Sequence, residues 1–454
     1  MSQFLIAVLA VIFVLGVAIN IHEFGHFIVA KMLGMRVDAY SFFGLGPRLF
    51  GFKIGNTDYR ISAIPLGAYV QLHGDNATAP LEGGQDEEKR VPLSEHYELR
   101  PRWQKFLVLI GGPFMNIVLA LGIPFAAAMM YGVPSMPAPI VGTIKAGGAA
   151  EKAGIKVGDR IVKFETNENP TWQRIQNDSL LIPEKATPIV VERDGQKLDL
   201  TITPTKFERD GNALGSLDFE PDFGEEPVVI GSLEADFPAV QSGLQTGDRI
   251  LSVNNTTVRN RDNLMTLIKD NKDATLNLVI DRNGARQEIA TKTKIDAEGK
   301  PRIGIGFTNT PTTREPATFA SASGFAWNTN IEILRLTGRA FGQIGTGERS
   351  ARQTVSGPIG IVAIIAKVAT ESGWAGLFGI LGLISLNLGI FNLLPIPLLD
   401  GGQIVVLGIE GALSLVGMKL SMLVKERIQL AGLGIILLLM VFVIFNDVSK
   451  LFGV

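Results

Sequence analysis

The sequence contains no cysteine and only four histidines, at positions 22, 26, 73 and 96. Disulfide bonds and thiolate metal sites are therefore excluded, so a metal centre would have to combine histidines with carboxylates. Charged residues are also scarce, at 19% of the 454 residues, whereas 46% are hydrophobic. The formal net charge of −2 gives no indication of nucleic-acid binding. This composition is more apolar than that of an ordinary soluble protein.

Four long apolar spans dominate the chain, at residues 4–32, 106–131, 372–399 and 428–445. Each lies within or above the roughly 17–25 residues that cross the hydrocarbon core as a helix. The first span is not expected to be a cleaved signal peptide, because residues 1–3 carry no basic residue and no small-x-small cleavage site separates the apolar run from His22. We therefore predict a polytopic α-helical membrane protein with four transmembrane helices.

Basic residues near the ends of the spans predict the orientation. The connections between spans one and two and between spans three and four carry Arg36, Arg48, Arg100, Arg102, Lys105, Lys419, Lys425 and Arg427. Because Lys and Arg collect on the cytoplasmic side, both connections are predicted to be cytoplasmic. The large middle section, 132–371, is predicted to lie on the opposite side.

The spans also divide the chain into segments. Residues 1–33 form the first helix, 34–105 a membrane-associated β region and loop, 106–132 the second helix, 133–224 and 225–310 two domains, 311–371 a linker, 372–418 the third helix, and 419–454 the fourth helix and C-terminus. The β region is predicted from aromatic and alternating runs between Val37 and His73. Within the linker, helical spacing over Asn328–Gln343 favours a helix along the membrane surface.

The middle section contains an internal repeat. Val141–Ile161 aligns without gaps to Ile230–Ile250, an offset of 89 residues, which is the length of a small domain. Both copies carry the pattern Gly-(Ile/Leu)-x-x-Gly-Asp-Arg-Ile. Each continues with a predicted helix, near 171–181 or 261–270, and a hairpin turn, Arg193-Asp-Gly or Arg282-Asn-Gly. We predict two α+β domains of one fold.

The first span contains the motif His22-Glu23-Phe24-Gly25-His26. Ionisable residues at such positions carry a free-energy cost inside a membrane. Residues four apart share a helix face, so both imidazoles can bind one Zn²⁺ while the intervening carboxylate reaches its water. The alternative is a buried polar cluster without metal. His73 and His96 stand in polar sequence and are predicted to be surface residues.

A second polar landmark interrupts the third span. In the segment 392–402, Pro395 and Pro397 should break the helix. Asp400 is the only charge between positions 371 and 410, and its strongest available partner is a Zn²⁺ held by the two histidines. In span two, Gly111-Gly112-Pro113-Phe114-Met115-Asn116 predicts close packing against span one, with a role of Asn116 near the metal as the alternative.

Together these motifs resemble the site-2 protease family of intramembrane zinc metalloproteases, and specifically its RseP type in Gram-negative bacteria, which carries tandem PDZ domains. The resemblance covers nearly the whole chain. It rests on the motif at 22–26, Gly44-Leu45-Gly46, the repeated Gly-Asp-Arg pattern, Ser356-Gly-Pro-Ile and the segment 392–402. The strands at 214–219 and 303–307 resemble the carboxylate-binding loops of the permuted bacterial PDZ type.

The resemblance implies roles for individual residues. His22, His26 and Asp400 would bind Zn²⁺, and Glu23 would move the proton of the attacking water to the leaving amine. Gly44, Leu45 and Gly46 would lie in a strand that pairs with an extended substrate, and Asn392, Pro395 and Pro397 would lie near that substrate. Relatives often have a histidine after Asp-Gly-Gly, but this chain has Gln403. A secondary polar role at that position is therefore in doubt.

The family implies regulated intramembrane proteolysis of single-span proteins, such as an anti-sigma factor already trimmed on the periplasmic side, and of remnant signal peptides. It also implies a bacterial inner-membrane location, periplasmic PDZ domains and an active site near the cytoplasmic side. The PDZ grooves would bind peptide C-termini or act only as spacers. The alternatives are a catalytically inactive PDZ scaffold with structural zinc and an ion-coupled transporter.

Overall fold

The computed structural model describes residues 3–64, 67–74, 91–209, 212–222, 228–271, 275–296, 301–307, 314–350, 355, 357–418 and 420–451. The chain divides into two compact units. Unit 1 comprises Met1–Tyr131 with Ala317–Val454, and unit 2 comprises Gly132–Pro316. Much of the predicted loop at 74–100, and Ser356 of the Ser-Gly-Pro-Ile motif, lie outside the described residues.

The helices, in chain order, are α1 (Gln3–Met32), α2 (Arg102–Tyr131), α3 (Ala149–Lys152), α4 (Trp172–Leu180), α5 (Pro238–Gln241), α6 (Arg261–Asp270), α7 (Phe319–Gly345), α8 (Pro358–Glu371), α9 (Gly373–Asn392), α10 (Asp400–Leu415) and α11 (Met422–Leu451). Two 3₁₀ turns, Leu93–Glu95 and Tyr97–Leu99, precede α2.

The strands are β1 (Val37–Phe43), β2 (Leu45–Ile54), β3 (Thr57–Ile64), β4 (Tyr69–Leu72), β5 (Val133–Pro134), β6 (Val141–Ile144), β7 (Arg160–Phe164), β8 (Asn167–Glu168), β9 (Thr187–Arg193), β10 (Gln196–Ile202), β11 (Thr205–Arg209), β12 (Asn212–Ser216), β13 (Phe219–Pro221), β14 (Val228–Leu233), β15 (Arg249–Val253), β16 (Thr256–Thr257), β17 (Thr275–Arg282), β18 (Ala285–Lys292), β19 (Lys294–Ile295), β20 (Pro301–Arg302), β21 (Ile305–Phe307) and β22 (Arg314–Glu315).

Among the described residues, four helices are long and apolar enough to cross a membrane: Gln3–Met32, Arg102–Tyr131, Gly373–Asn392 and Leu423–Ser449. This confirms the four apolar helices predicted from the sequence. The third span does not continue as one helix, because α9 ends at Asn392 and α10 begins at Asp400. The two prolines stand in the irregular segment between them, where a missing N–H and a ring clash end a helix.

Glycines let α1 and α2 approach closely. A Cβ atom on Gly25 would lie 2.0 Å from the Gly111 carbonyl oxygen, and one on Gly112 would lie 2.4 Å from His26 Nε2. Any larger residue at these positions would separate the helices. The glycine pair of span two therefore brings its backbone against the face of α1 that carries the two histidines.

A four-stranded sheet follows α1 in unit 1, in the order β2-β3-β1-β4. Strands β1 and β3 run parallel, whereas β2 pairs with β3 and β4 pairs with β1 in antiparallel fashion. Strand β2 exposes Leu49, Phe50 and Phe52, the last of which stacks on Tyr59. An apolar edge strand of this kind suits lipid or protein contact better than water.

The helix predicted over Asn328–Gln343 lies within the longer helix α7, which packs against α2. Its buried Asn330 donates a hydrogen bond from Nδ2 to the Ala120 carbonyl oxygen at 3.1 Å. Ala120 lies four residues before Pro124, which has no N–H to donate. The amide of Asn330 therefore supplies the hydrogen bond that the proline removes from α2.

Unit 2 contains two halves whose elements follow the same order. Their sheets are β10-β9-β7-β8 and β18-β17-β15-β14-β21. Core residues also correspond at the 89-residue offset, as in Ile161 with Ile250 and Ile175 with Leu264. The repeat therefore extends through the hydrophobic cores of both halves.

The Gly-Asp-Arg pattern has a structural explanation. Buried Asp159 accepts two hydrogen bonds at 2.7 Å from Arg193, and buried Asp248 accepts the same pair from Arg282. Each arginine also donates to the carbonyl of the preceding glycine turn, at Gly154 or Gly243. The hydrogen bonds from Arg282 hold the pKa of the Asp248 carboxyl below its usual range. The pattern thus fastens the hairpin to the glycine turn in both halves.

Candidate metal centre

The structure brings His22, His26 and Asp400 together. The Nε2 atoms of the two histidines are 3.2 Å apart, because their spacing of four residues places them on one face of α1. The Asp400 carboxylate approaches from α10, with Oδ2 3.2 Å from His22 Nε2 and Oδ1 3.5 Å from His26 Nε2. Within the described part of the chain, these three residues form the only cluster of histidine and acidic groups that could hold a metal ion.

These distances fit zinc. Bonds of about 2.0–2.2 Å in a tetrahedron place ligand atoms about 3.3–3.6 Å apart, close to the three separations observed. Among the described residues, the buried Asp400 Oδ2 accepts no hydrogen bond, although His22 Nε2 lies 3.2 Å away, and this is costly for a carboxylate oxygen unless a cation is bound. Two neutral imidazoles and one carboxylate are also a donor set that suits zinc.

The other nitrogen of each imidazole contacts span two. His26 Nδ1 lies 2.7 Å from the Val108 carbonyl oxygen, which can only accept, so Nδ1 carries the proton and Nε2 is left free. His22 Nδ1 lies 3.2 Å from the side-chain amide of Asn116. That amide is fully buried and in turn contacts Ser385 of α9.

The segment between α9 and α10 positions Asp400. Leu398 adopts a left-handed backbone with φ of +81°, an unfavourable conformation for a residue with a side chain. Cβ atoms on Gly401 and Gly402 would lie 2.2 and 2.1 Å from the Leu393 and Ile396 carbonyl oxygens. The Asp-Gly-Gly sequence is required because α10 begins directly against this folded segment.

A cavity of about 300 Å³ adjoins the three residues. It is lined by His22, Glu23, His26, Val70, Leu72, Tyr97, Val108, Leu109, Asn392, Leu398, Leu399, Asp400 and Gln403. Asn392 also lies beside the cluster, with Nδ2 3.4 Å from His22 Nε2. Glu23 therefore faces a space that can hold water and a peptide group next to the candidate ligands.

Other residues singled out from the sequence lie elsewhere. Gly44 separates β1 from β2, and Leu45 and Gly46 are the first residues of β2. These three residues do not line the cavity, and neither do Pro395 and Pro397. The positive φ angles of Gly44 and Gly46 and the pairing of Leu45 with Ile64 set the start of β2. The strand of this sheet that reaches the cavity is β4, through Val70 and Leu72.

His73 and His96, which were predicted to be surface residues, are partly exposed and partly packed against neighbouring side chains. Both are half-buried, and their rings pack edge to face with centroids 4.6 Å apart. His73 Nδ1 lies 2.7 Å from the Asp38 carboxylate, which also pairs with Arg36. The polar sequence around them indicated exposure, whereas the contact with β1 is not visible in local composition.

Sequence reasoning also missed the contacts that hold the histidine rings. His26 contacts the backbone carbonyl oxygen of Val108, so the side chain at position 108 does not indicate this contact. Ser385 lies in an apolar helix and belongs to no motif. The only available signal was the isolated asparagine of an otherwise apolar span two, at position 116.

Comparisons with known proteins show the family of this chain. The model of peptidase family M50 matches residues 10–439. The chain is 31% identical to "Regulator of sigma-E protease RseP" of Escherichia coli (strain K12), over 99% of this chain and 100% of that protein. It is 28% identical to a "Putative zinc metalloprotease" of Vibrio cholerae, over 99% and 100% respectively. Among solved structures, it resembles the PDZ domain of the SdrC-like protein from Listeria monocytogenes at 22% identity, with a TM-score of 0.18, over 19% of this chain and 94% of that domain.

Proposed function

The chain belongs to peptidase family M50 and is a zinc metalloprotease of the site-2 type, and we propose that it cleaves single-span membrane proteins inside their transmembrane segments. The observation that carries this proposal is the convergence of Glu23 with His22, His26 and Asp400 on one cavity among apolar helices. A soluble peptidase would not need to place its ionisable groups on such helices.

His22, His26 and Asp400 would hold the zinc ion, through two Nε2 atoms and one carboxylate oxygen. When bound there, zinc acts as a Lewis acid that polarises the scissile carbonyl and makes water more acidic. The Val108 carbonyl fixes the ring of His26 through Nδ1 and so keeps its Nε2 directed at the cavity.

Glu23 acts as the general base and then as the general acid. Its carboxylate accepts a proton from the attacking water and returns it to the leaving amine nitrogen as the peptide bond breaks. The charge and position of Glu23 suit this transfer because it stands between the two histidines and lines the same cavity. Asn392 and Gln403 line that cavity from the ends of α9 and α10 and would donate hydrogen bonds to the substrate backbone.

A transmembrane helix must unwind before a peptidase can reach its peptide bonds, and a sheet edge can hold the unwound strand. The four-stranded sheet has two edges, β2 and β4. The sequence points to Gly44, Leu45 and Gly46 at the start of β2, where an exposed apolar strand can receive the incoming segment. Val70 and Leu72 of β4 line the cavity, so β4 holds the residues next to the scissile bond. Pro395 and Pro397 support the opposite wall by holding the segment that carries Asp400.

The relative named "Regulator of sigma-E protease RseP" suggests the kind of substrate. We propose an anti-sigma factor trimmed by an earlier cleavage, with remnant signal peptides as a second group. The halves of unit 2 would be tandem PDZ domains in the periplasm that select trimmed substrates by their C-termini or by size. The basic connections support a metal centre near the cytoplasmic face of the inner membrane.

Replacement of the base tests this function. In detergent, the full chain should cleave a model single-span substrate, and Glu23→Gln should lower the rate at least about 100-fold because general acid–base transfer is lost. Zinc content should be unchanged, since Glu23 is not among the clustered candidate ligands. A matched control is Glu410→Gln on α10, whose carboxylate pairs with Lys425.

The outcomes separate the candidate functions. Loss of cleavage with zinc retained supports the assigned role of Glu23. Equal cleavage by wild type and Glu23→Gln would contradict the proposed mechanism. Zinc binding without cleavage of any single-span substrate by wild type would instead favour the inactive PDZ scaffold.

A further inference from the structure

We propose that Asn116 and Ser385 form a relay that holds His22 in the tautomer needed to bind the metal, so that Asn116 is a positioning residue for the zinc site. This inference rests on the proposed ligand role of His22. It concerns two residues of different helices, neither of which is a candidate ligand.

A histidine that binds a metal through Nε2 must carry its proton on Nδ1, and that proton needs an acceptor. His26 has one in the Val108 carbonyl oxygen, 2.7 Å from Nδ1. The polar neighbour of His22 Nδ1 is the side-chain amide of Asn116, at 3.2 Å. Because His22 is only 7% exposed, water cannot readily replace this partner.

An amide has a donor end and an acceptor end, which exchange places when the side chain turns by half a rotation. With Nδ2 facing His22, as the structure places it, the imidazole accepts and its proton stays on Nε2. The Ser385 hydroxyl then has one proton for two acceptors, the Asn116 side-chain oxygen at 3.2 Å and backbone oxygen at 3.0 Å.

With the amide turned over, every group has a partner. His22 Nδ1–H donates to Asn116 Oδ1, Asn116 Nδ2–H donates to Ser385 Oγ, and the Ser385 hydroxyl donates to the Asn116 backbone oxygen. This arrangement frees His22 Nε2 beside Asp400 and His26. Metal binding and the orientation of the Asn116 amide are therefore coupled. In the turned orientation, Ser385 Oγ accepts the hydrogen bond that Asn116 Nδ2–H donates.

The packing shows that this contact is built into the helices. Asn116 and Ser385 are both fully buried, and a Cβ on Gly389 would lie 3.2 Å from the Asn116 Cβ and 2.9 Å from the Pro113 carbonyl oxygen. Gly389 lies one turn after Ser385 on the same face of α9. The glycine lets α9 approach α2 closely enough for the hydroxyl to reach the amide.

Three variants test the relay through zinc affinity, measured by chelator competition on the full chain in detergent. Asn116→Leu removes the acceptor at similar volume and should weaken zinc binding about 10–100-fold, the usual effect of losing such an outer partner. Asn116→Asp keeps an acceptor for Nδ1–H and should stay within about threefold of wild type. Ser385→Ala should weaken binding less than Asn116→Leu does.

A matched control is Asn330→Leu, which removes another buried asparagine that contacts α2 but lies away from the metal centre. Its zinc affinity should equal that of wild type. The visible absorption of the Co²⁺-loaded protein gives a second readout, because it reports ligand geometry. The spectrum should change in Asn116→Leu and be preserved in Asn116→Asp.

Wild-type zinc affinity in Asn116→Leu would overturn the inference. So would an affinity of Asn116→Asp as low as that of Asn116→Leu, because Asn116 would then act as a donor to His22. Unchanged affinity in Ser385→Ala would remove Ser385 from the relay. These measurements do not depend on cleavage, so a wild-type protein that binds zinc without cleaving any substrate would contradict the proposed function and leave the relay standing.

Discussion

At the residue scale, Asp400 is the candidate ligand whose position depends on the least regular backbone. His22 and His26 are placed by a continuous helix, whereas Asp400 follows a segment with Leu398 in a left-handed conformation. Such a conformation costs of order 1–3 kcal/mol and persists only where the surroundings impose it. Here the close packing of Gly401 and Gly402 on the carbonyl groups of that segment holds the backbone in this conformation.

Replacement of Asp400 by Asn should abolish tight zinc binding. The change keeps the shape of the side chain but removes the negative charge that balances the dication. Since loss of an outer partner already costs about 10–100-fold, loss of a direct ligand should exceed about 100-fold in affinity. Chelator competition measures this, with Glu410→Gln as the control. Full zinc occupancy in Asp400→Asn at low free zinc would show that another residue is the third ligand.

The residues of the candidate centre differ in how far sequence predicts them. His22, Glu23 and His26 could be predicted from the local sequence. It shows both their spacing and that ionisable groups stand in an apolar helix, where their free energy is unfavourable. Asp400 could be predicted because it is an isolated charge next to helix-breaking prolines. The contact of Ser385 with Asn116 joins positions 269 apart, and nothing in the pattern of either helix specifies that pairing.

At the scale of elements, the proline-containing helix α2 depends on a partner from another helix. Pro124 removes the donor for the Ala120 carbonyl, and Asn330 of α7 replaces it across 210 residues of sequence. Apolar length predicts that α2 exists but cannot predict which helix supplies a donor beside Pro124. For the same reason the sequence indicated a helix over Asn328–Gln343 but not its packing on α2.

A double-mutant cycle tests this dependence. Asn330→Leu should destabilise the protein by about 0.6 kcal/mol and by no more than about 1.7 kcal/mol, the mean and the maximum measured for hydrogen bonds between membrane helices. In a Pro124→Ala background the same change should cost less, because the alanine N–H can donate to the Ala120 carbonyl within α2. Unfolding in mixed micelles gives the free energies. An equal loss of unfolding free energy on Asn330→Leu in both backgrounds would show that Asn330 does not compensate for Pro124.

At the scale of the whole molecule, the residues of the candidate centre all belong to unit 1, which is formed from both ends of the chain. Unit 2 is inserted between α2 and α7, and its own two ends meet. Strand β5 pairs with β22, so that Val133 lies opposite Glu315, and Arg314 donates to the Gly132 carbonyl oxygen at 3.1 Å. Paired antiparallel strands hold such residues about 5 Å apart, a gap that a short linker can span.

Excision of residues 135–313, joined by a short Gly/Ser linker, should therefore leave unit 1 folded. We expect one zinc ion per chain and continued cleavage of a short single-span substrate, because the four-stranded sheet, the cavity and the candidate ligands stay in place. Glu23→Gln in the excised chain is the control for that cleavage. Selection between trimmed and untrimmed substrates should be lost, since unit 2 would supply it. An excised chain that keeps its helical content but binds no zinc would show that unit 2 is needed to assemble the metal centre.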